Sequence, residues 1–272
     1  MYVHNRDRNF LLRICCLVLC SAALVTAAMA AYGAESCKQL VATGNPEYPP
    51  YLWRDQADQS HLIGANADLM QMLSKEIGIP IDTQYVGSWA RVLEEARLGR
   101  IDLIVGAFFT VQRLDYMDYF YPAFLDTRSV IWTRRGAGFN YKKWVDLRPY
   151  SGITVINNSF GEDFDSFAKK SLKISSVPSL EQAFKMLQAE RVDYLIYEED
   201  PGLAYIAKLD IAGLAPVYPP VSNESLYLTL SHKSPCNTPE VRGLIAKAMY
   251  RLARQNLMKK RVEANIQLWR VK

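Results

Sequence analysis

The sequence predicts an α/β fold made of two lobes, each a mostly parallel sheet flanked by helices, joined by two crossings of the chain. Three observations predict this fold. The same helix-to-strand unit occurs twice, about ninety residues apart. The strands are short apolar runs of the kind that parallel sheets cover on both faces. Two extended, proline-bearing segments lie where the chain would pass between the lobes.

The repeated unit starts with a serine and ends in a strand. The first copy begins at Ser88 and the second at Ser179, and each places an Arg-x-Asp motif ahead of its strand, with Asp102 and Asp193 both fourteen residues after the serine. Serine is a good N-cap because its oxygen accepts a hydrogen bond from a free N–H of the first turn. The apolar residues that follow recur at helical spacing, so two copies of the unit favour two similar lobes built from β-α-β crossovers.

The remaining elements fit the same plan. The predicted strands are 40–43, 81–86, 103–105, 153–156 and 194–197, and the predicted helices are 67–77, 89–98, 164–172, 180–187, 239–255 and 258–269.

The segments 121–124 and 217–221 each contain proline and connect the two halves of the chain. Two crossings imply that the first lobe is discontinuous. We therefore place the first lobe at residues 35–125 plus 223–272 and the second lobe at residues 126–222.

The first thirty residues have the layout of a secretory signal peptide. Three arginines precede an apolar run from Ile14 to Ala30, which ends in the small residues that a signal peptidase requires before its cut. We therefore predict that residues 1–30 are removed and that the protein works in the periplasm. An uncleaved membrane anchor is the alternative, because about 17 to 25 apolar residues suffice to span a bilayer.

Charge and cysteine content narrow the function classes. Half of the net charge of +4 comes from the first thirty residues, and no run of basic residues follows, so no nucleic-acid partner is predicted. Cys37 and Cys236 are the cysteines beyond residue 30, and they form either one disulfide or two free thiols. The three histidines show no zinc-ligand spacing, and no Ser-His-Asp order or phosphate loop is present, so we predict no metal, no cofactor and no catalytic residue.

Candidate ligand contacts follow the strands of the first lobe, because α/β sheets bind ligands beyond the carboxyl ends of their strands. The stiff aromatic loop after the first strand offers Tyr48 or Tyr51 as a wall. Arg113 follows another strand, and its forked guanidinium can hold a carboxylate with two parallel hydrogen bonds. The alternatives are a loop that covers a core edge and an arginine in an exposed ion pair.

The second lobe offers donors and acids at comparable positions. Ser159 lies in a strand-to-helix turn whose free N–H groups suit an anion, although ordinary N-capping is the alternative. Glu198 and Glu199 follow the second repeat strand. One of them facing a cleft would pair with an ammonium group.

In order and spacing, these motifs resemble the family 3 extracellular solute-binding proteins, which have the type-II periplasmic binding fold and serve polar amino acid ABC transporters. The resemblance covers nearly the whole chain after residue 30. The motifs that carry it are Tyr48-Pro49-Pro50-Tyr51, Gly64-x-x-x-Asp68-Leu69, Trp89, Gly99-Arg100-Ile101-Asp102, Thr110-x-x-Arg113 with Phe120-x-Pro122, Ser159-Phe160-Gly161, and Asp193 with the carboxylates that follow it.

The resemblance implies a role for each site residue. Tyr48 and Trp89 would flank a small ligand, and Arg113 would bind its α-carboxylate. The turn at Ser159 would add donors, and an acidic residue, Glu198 or Glu199, would bind its α-ammonium group.

One departure bears on specificity. Phe108 replaces a small hydroxyl residue that often assists both α-groups in the family. We include Phe108, Thr110 and Phe160 among the predicted contacts and expect aromatic side chains to favour an apolar or aromatic ligand, or a cation held over ring faces.

We therefore expect a monomeric periplasmic binding protein, not an enzyme, that captures an amino acid or a related small carboxylate by hinge closure. Its expected partner is an ABC permease or a sensor at the inner membrane. Two alternatives stay open. One follows from a relative within the family, cyclohexadienyl dehydratase, which implies an enzyme on the same scaffold with Glu198 or Glu199 as its acid. The other is a ligand-sensing module without a transporter.

Overall fold

The computed structural model describes residues 37–255 and 257–271. The predicted signal peptide, residues 1–30, lies outside the described residues. The strands of the described residues are β1 (Leu40–Thr43), β2 (Glu47–Tyr48), β3 (Leu52–Arg54), β4 (Leu62–Ile63), β5 (Ile81–Thr83), β6 (Leu103–Phe108), β7 (Met117–Arg134), β8 (Ser151–Val155), β9 (Lys173–Val177), β10 (Tyr194–Glu198) and β11 (Leu214–Ser231).

Helices cover both repeats and the end of the chain, as predicted. They are α1 (Ala65–Ile77), α2 (Trp89–Leu98), α3 (Glu162–Ser171), α4 (Leu180–Gln188), α5 (Glu199–Lys208), α6 (Pro239–Arg254) and α7 (Leu257–Val271). Short 3₁₀ helices span Val111–Asp115 and Trp144–Leu147.

The caps match the expected chemistry at one of the two repeat helices. The hydroxyl of Ser179 accepts a hydrogen bond from the N–H of Gln182, 3.2 Å away, at the start of α4. Ser88 occupies the N-cap position of α2, but its hydroxyl makes no capping hydrogen bond, so that part of the prediction is wrong. Thr238 caps α6 in the same way as Ser179, with a proline as the first helical residue.

The main sheet has eight strands in the order β5-β1-β6-β11-β7-β10-β8-β9. Strands β5, β1 and β6 are mutually parallel at one end, and β10, β8 and β9 are parallel at the other. Two antiparallel strands, β11 and β7, join these groups in the centre. The predicted α/β class is confirmed, and the two groups of parallel strands belong to one large sheet rather than to two separate sheets.

The proline-bearing segments are parts of strands. Strands β7 and β11 each contain 18 residues, and they pair with each other along most of their length. Segment 121–124 lies inside β7, and segment 217–221 lies inside β11. The ladder between them shifts register between Val217 and Ser222, where the prolines cannot donate a hydrogen bond.

Each Arg-x-Asp motif ties its own strand to the parallel neighbour. Asp102 accepts the N–H of Val41 with a side-chain oxygen at 2.7 Å, and its own N–H donates to the Val41 carbonyl at 3.0 Å. Asp193 makes the same two bonds with Ser151, at 2.7 and 2.9 Å. In both repeats, the aspartate therefore joins two neighbouring parallel strands by the same pair of hydrogen bonds.

Removing these carboxylates is expected to cost unequal amounts of stability. Asp102→Ala should lower the free energy of unfolding by about 1 to 3 kcal/mol, because the buried hydroxyl of Ser234, which donates to Asp102 at 2.5 Å, also loses its acceptor. Asp193→Ala should cost about 0.5 to 1.5 kcal/mol, because water reaches exposed Ser151. Urea unfolding measures both losses, and equal losses would contradict this account.

The end of the chain packs onto α5. Trp269 of α7 is buried, its indole N–H donates to the carbonyl of Ala204 at 3.1 Å, and its ring lies 5.4 Å from that of Trp53. The ammonium of Lys208 lies 4.0 Å from the ring centroid. Trp269 thus fixes α7 to the helix that follows β10.

The sulfur atoms of Cys37 and Cys236 lie 2.04 Å apart, at disulfide bonding distance, so of the two predicted arrangements the distance favours the paired one. Within residues 37–255 and 257–271, none of the helices has the length and apolar character to cross a membrane.

Candidate functional site

A small space, here called the inner cavity, is lined by residues from both groups of parallel strands and from the central strand β11. Its volume is about 20 Å³, which is room for about one water molecule. Six of the predicted site residues line it, namely Tyr48, Trp89, Phe108, Arg113, Ser159 and Glu198, together with Asn45, Gly106, Asn158 and Leu226.

Arg113 is held in the wall of this cavity by its own segment. The hydroxyl of Thr110 caps the 3₁₀ helix that carries Arg113, and the guanidinium donates to the carbonyl of Phe108 at 2.8 Å. A weaker bond of 3.4 Å reaches the carbonyl of Asn157 on the opposite wall. Arg113 is only 6% exposed, and no carboxylate in the described part of the chain lies within 4.0 Å of its nitrogens.

Trp89, the first residue of α2, lies beside Arg113. Its indole N–H donates to the Asn157 carbonyl at 3.2 Å, and its ring centroid lies 5.4 Å from the guanidinium carbon. The Asn157 carbonyl therefore accepts from both Trp89 and Arg113. Asn157 has a φ of 62°, a left-handed conformation that asparagine tolerates better than most residues.

Sequence reasoning missed the residue that shapes the Ser159 turn. Asp165 of α3 accepts the hydroxyl of Ser159 at 2.5 Å and the N–H of Phe160 at 2.9 Å. Burial raises the pKa of Asp165, while these two bonds oppose the shift. The turn thus donates to its own helix, so a ligand that takes these donors has to compete with Asp165. The sequence signal for this contact is an aspartate, Asp165, four residues after Gly161, the N-cap of α3.

Glu198 is the acid that faces the inner cavity. It is the last residue of β10, is 3% exposed, and its Oε2 atom has no hydrogen-bond partner within the described residues. Burial raises the pKa of Glu198 to about 8, and a hydrogen bond from its own backbone N–H and the positive charge of Arg113 only partly oppose this shift.

Glu199 faces elsewhere. It begins α5, accepts a hydrogen bond from the hydroxyl of Tyr218, and lies 2.8 Å from a guanidinium nitrogen of Arg128. The two adjacent carboxylates therefore face different places. Glu198 lines the inner cavity, and Glu199 contacts Tyr218 of β11 and Arg128 of β7.

The other predicted residues divide between core and rim. Phe160 packs in a buried cluster, with its ring 6.0 Å from that of Phe164, and does not line the inner cavity. Tyr51 is also turned away, because its hydroxyl donates to Asp200 at 2.6 Å, whereas Tyr48 lines the cavity. Thr110 does not line the inner cavity but a larger groove beside it.

A larger groove continues from the inner cavity to the surface. This outer groove has a volume of about 580 Å³ and shares Arg113, Asn158 and Ser159 with the inner cavity. Glu162 reaches across it and accepts the N–H of Val111 at 2.7 Å. Contacts at Glu162 and Asn157 therefore hold the two walls together.

Chemically, the site offers a cation, an acid and aromatic walls. Among the described residues, no cluster of histidine, cysteine and carboxylate side chains forms a metal site. The arrangement fits recognition of a small polar molecule by charge and ring contacts.

Comparisons with known proteins agree with this geometry. The model of the bacterial extracellular solute-binding proteins, family 3, matches residues 40–264. No curated protein sequence matches the chain.

Solved structures share the fold at low sequence identity. A histidine kinase sensor domain with similarity to periplasmic binding proteins is 20% identical, with a TM-score of 0.70 over 85% of this chain and 96% of the sensor domain. An amino acid ABC transporter substrate-binding protein from Streptococcus pneumoniae, bound to L-arginine, is 16% identical, with a TM-score of 0.70 over 85% and 96%. An ancestral arginine-binding protein bound to arginine is 20% identical, with a TM-score of 0.70 over 84% and 97%.

Proposed function

Because the chain belongs to the bacterial extracellular solute-binding proteins, family 3, we propose that it captures an amino acid or a related small carboxylate for an ABC importer. The observation that carries this proposal is Arg113, a buried guanidinium that lacks a carboxylate partner within the described residues and lines both the inner cavity and the outer groove. A buried charge is costly unless it is paired. A ligand carboxylate would supply the missing partner.

The proposed mechanism is hinge closure between a lobe of residues 35–125 plus 223–272 and a lobe of residues 126–222. The ligand docks on the first lobe through Arg113 and Trp89. The second lobe then brings Ser159 and Glu198 against it. An inner cavity of about 20 Å³ is too small for an amino acid, so binding requires the walls to separate first.

Specificity follows from the ring contacts. The inner cavity has Tyr48, Trp89 and Phe108 in its wall, and Leu226 adds an apolar contact. We propose that these side chains favour a ligand with an apolar or aromatic part, or a cation over the rings, while Arg113 fixes its carboxylate.

The test is a thermal-shift screen of the protein that begins after residue 30, against amino acids, amines and small organic acids. A ligand that binds only the folded form stabilises it by about 2.7 kcal/mol at a concentration 100 times its Kd, and this stabilisation raises the melting temperature. Calorimetry then measures affinity and stoichiometry. Absence of any shift from carboxylate-bearing compounds would contradict the proposal, whereas shifts from amines alone would exclude the role of Arg113.

We also propose that the protein is exported to the periplasm. Residues 1–30 would direct the chain to the periplasm as a cleaved signal peptide, and the oxidising environment there would keep Cys37 and Cys236 bonded. The mature protein would act as a monomer and present its closed form to an inner-membrane permease. Intact-mass measurement of periplasmic protein with and without reduction checks both the cut and the bond.

Glu198 favours a second candidate, an enzyme of the cyclohexadienyl dehydratase type. A carboxyl with a pKa of about 8 keeps its proton near neutral pH and can act as a general acid. Incubation of the purified protein with prephenate or arogenate decides the question, because turnover that disappears in Glu198→Gln establishes the enzyme. Binding without turnover supports the solute-binding role.

The likeness to a histidine kinase sensor domain favours a third candidate, a ligand sensor without a transporter. Uptake measurements in cells that lack the gene separate the two roles. Loss of ligand uptake supports the importer, and unchanged uptake with a lost transcriptional response supports the sensor.

A further inference from the structure

The Glu198 carboxyl is sealed inside the protein without a hydrogen-bond partner for its Oε2 atom among the described residues. Its side chain lies at the end of β10, in the wall of an inner cavity that holds about one water molecule. A carboxylate in such a place has lost its hydration, and the hydrogen bond from its own backbone N–H replaces only part of it, which favours the neutral acid.

The groups that face Glu198 compensate for this loss only in part. The cation is Arg113, which no salt bridge within 4.0 Å joins to Glu198 in the described chain. The other titratable groups are the phenols of Tyr48, Tyr51 and Tyr197, whose own pKa values are raised by burial. None of these phenols carries a positive charge that would hold Glu198 ionised.

The seal depends on contacts across the cleft. The Asn157 carbonyl accepts from Trp89 and Arg113, and Glu162 accepts from Val111. Separating the walls would break these bonds and admit water to Glu198. The environment of this carboxyl therefore differs between an open and a closed cleft.

We propose that closure of the ligand-free cleft takes up one proton at Glu198, so that pH sets how often the empty protein closes. The inference rests on the proposed hinge closure. A ligand that carries an ammonium group replaces the proton as the partner of Glu198. The empty protein is thereby held open in alkaline conditions, while a liganded protein closes at any pH.

The sign follows from the two environments of the carboxyl. Its pKa is about 8 in the closed cleft, and in an open, hydrated cleft it would return towards the ordinary 4.5. The closed form binds more protons between these values, so its share is greatest below the lower value and falls as pH rises to the higher one. The ratio of closed to open should change by about tenfold per pH unit in this interval.

Small-angle X-ray scattering of the ligand-free protein between about pH 5 and pH 9 tests the proposal. The radius of gyration should increase with pH in the wild type and stay small and constant in Glu198→Gln, which is neutral at every pH. Glu181→Gln, an exposed glutamate that pairs with Lys185 on α4, is the matched control and should follow the wild type.

A pH-independent radius of gyration in the wild type would overturn the proposal, as would an unchanged pH response in Glu198→Gln. The wild-type series alone decides the matter if the variant fails to fold. Ligand identified in the thermal-shift screen is then added at fixed pH. Compaction by ligand without a pH effect defeats this inference alone, and no compaction by any ligand defeats the proposed function.

Discussion

Arg113→Ala is expected to weaken ligand binding by about 3 to 5 kcal/mol, a loss of about 100-fold or more in affinity. The guanidinium donates to the Phe108 carbonyl five residues earlier in its own segment, so this bond can hold it in position before a ligand arrives. Its removal leaves the ligand carboxylate buried without a partner. Calorimetry with the ligand from the thermal-shift screen measures the loss.

Two further variants sharpen this test. Arg113→Lys keeps the charge but loses the two-pronged geometry, so its affinity should fall between those of wild type and Arg113→Ala. Arg97→Ala is the matched control, because Arg97 lines the outer groove but already pairs with Glu94 and lies over the ring of Tyr116. It should bind within about twofold of wild type, since exposed ion pairs contribute little. Unchanged affinity in Arg113→Ala would remove the basis of the proposed function.

Trp132→Ala is expected to lower the free energy of unfolding by about 3 to 5 kcal/mol. Trp132 lies in β7 with no exposed surface, packs edge-on against Phe184 with ring centroids 5.6 Å apart, and donates its indole N–H to the Tyr197 carbonyl at 3.2 Å. The ring also fills the space that Gly202 leaves, because a Cβ there would lie 2.2 Å from it. Truncation creates a large cavity and removes a buried hydrogen bond to the Tyr197 carbonyl.

Chemical denaturation measures this loss, with Leu244→Ala as the comparison. Leu244 is 42% exposed on α6, so its truncation should change the stability by no more than about 0.5 kcal/mol. Trp132→Phe keeps most of the packing and should lose less than Trp132→Ala. Similar losses in Leu244→Ala and Trp132→Ala would contradict the assigned core.

The sequence was informative where one local rule decides the structure. Both Arg-x-Asp units were found because each aspartate has to lock a neighbouring strand, and the helices that precede them have regular apolar spacing. The 18-residue strands β7 and β11 were missed. Their burial changes irregularly as they cross from one group of strands to the other, so the alternation that marks a strand is absent.

The residue types of the candidate site could be predicted from the sequence, but the direction in which individual side chains point could not. Glu198 and Glu199 were not distinguished because every residue of β10 is buried, so the sequence pattern does not mark one face. Phe160 was assigned to the site from its place in a motif, whereas packing against Phe164 puts it in the core. Asp165 escaped notice because its role depends on how α3 folds back onto the Ser159 turn.

The position of β11 has a consequence for folding. Among the described strands it comes last along the chain, yet it lies between β6 and β7 in the sheet. Until residues 214–231 pair with them, β6 and β7 each present unpaired backbone groups that another chain could bind. Completion of the sheet therefore depends on contacts between residues far apart in the chain, which slows folding and prolongs the exposure of these edges.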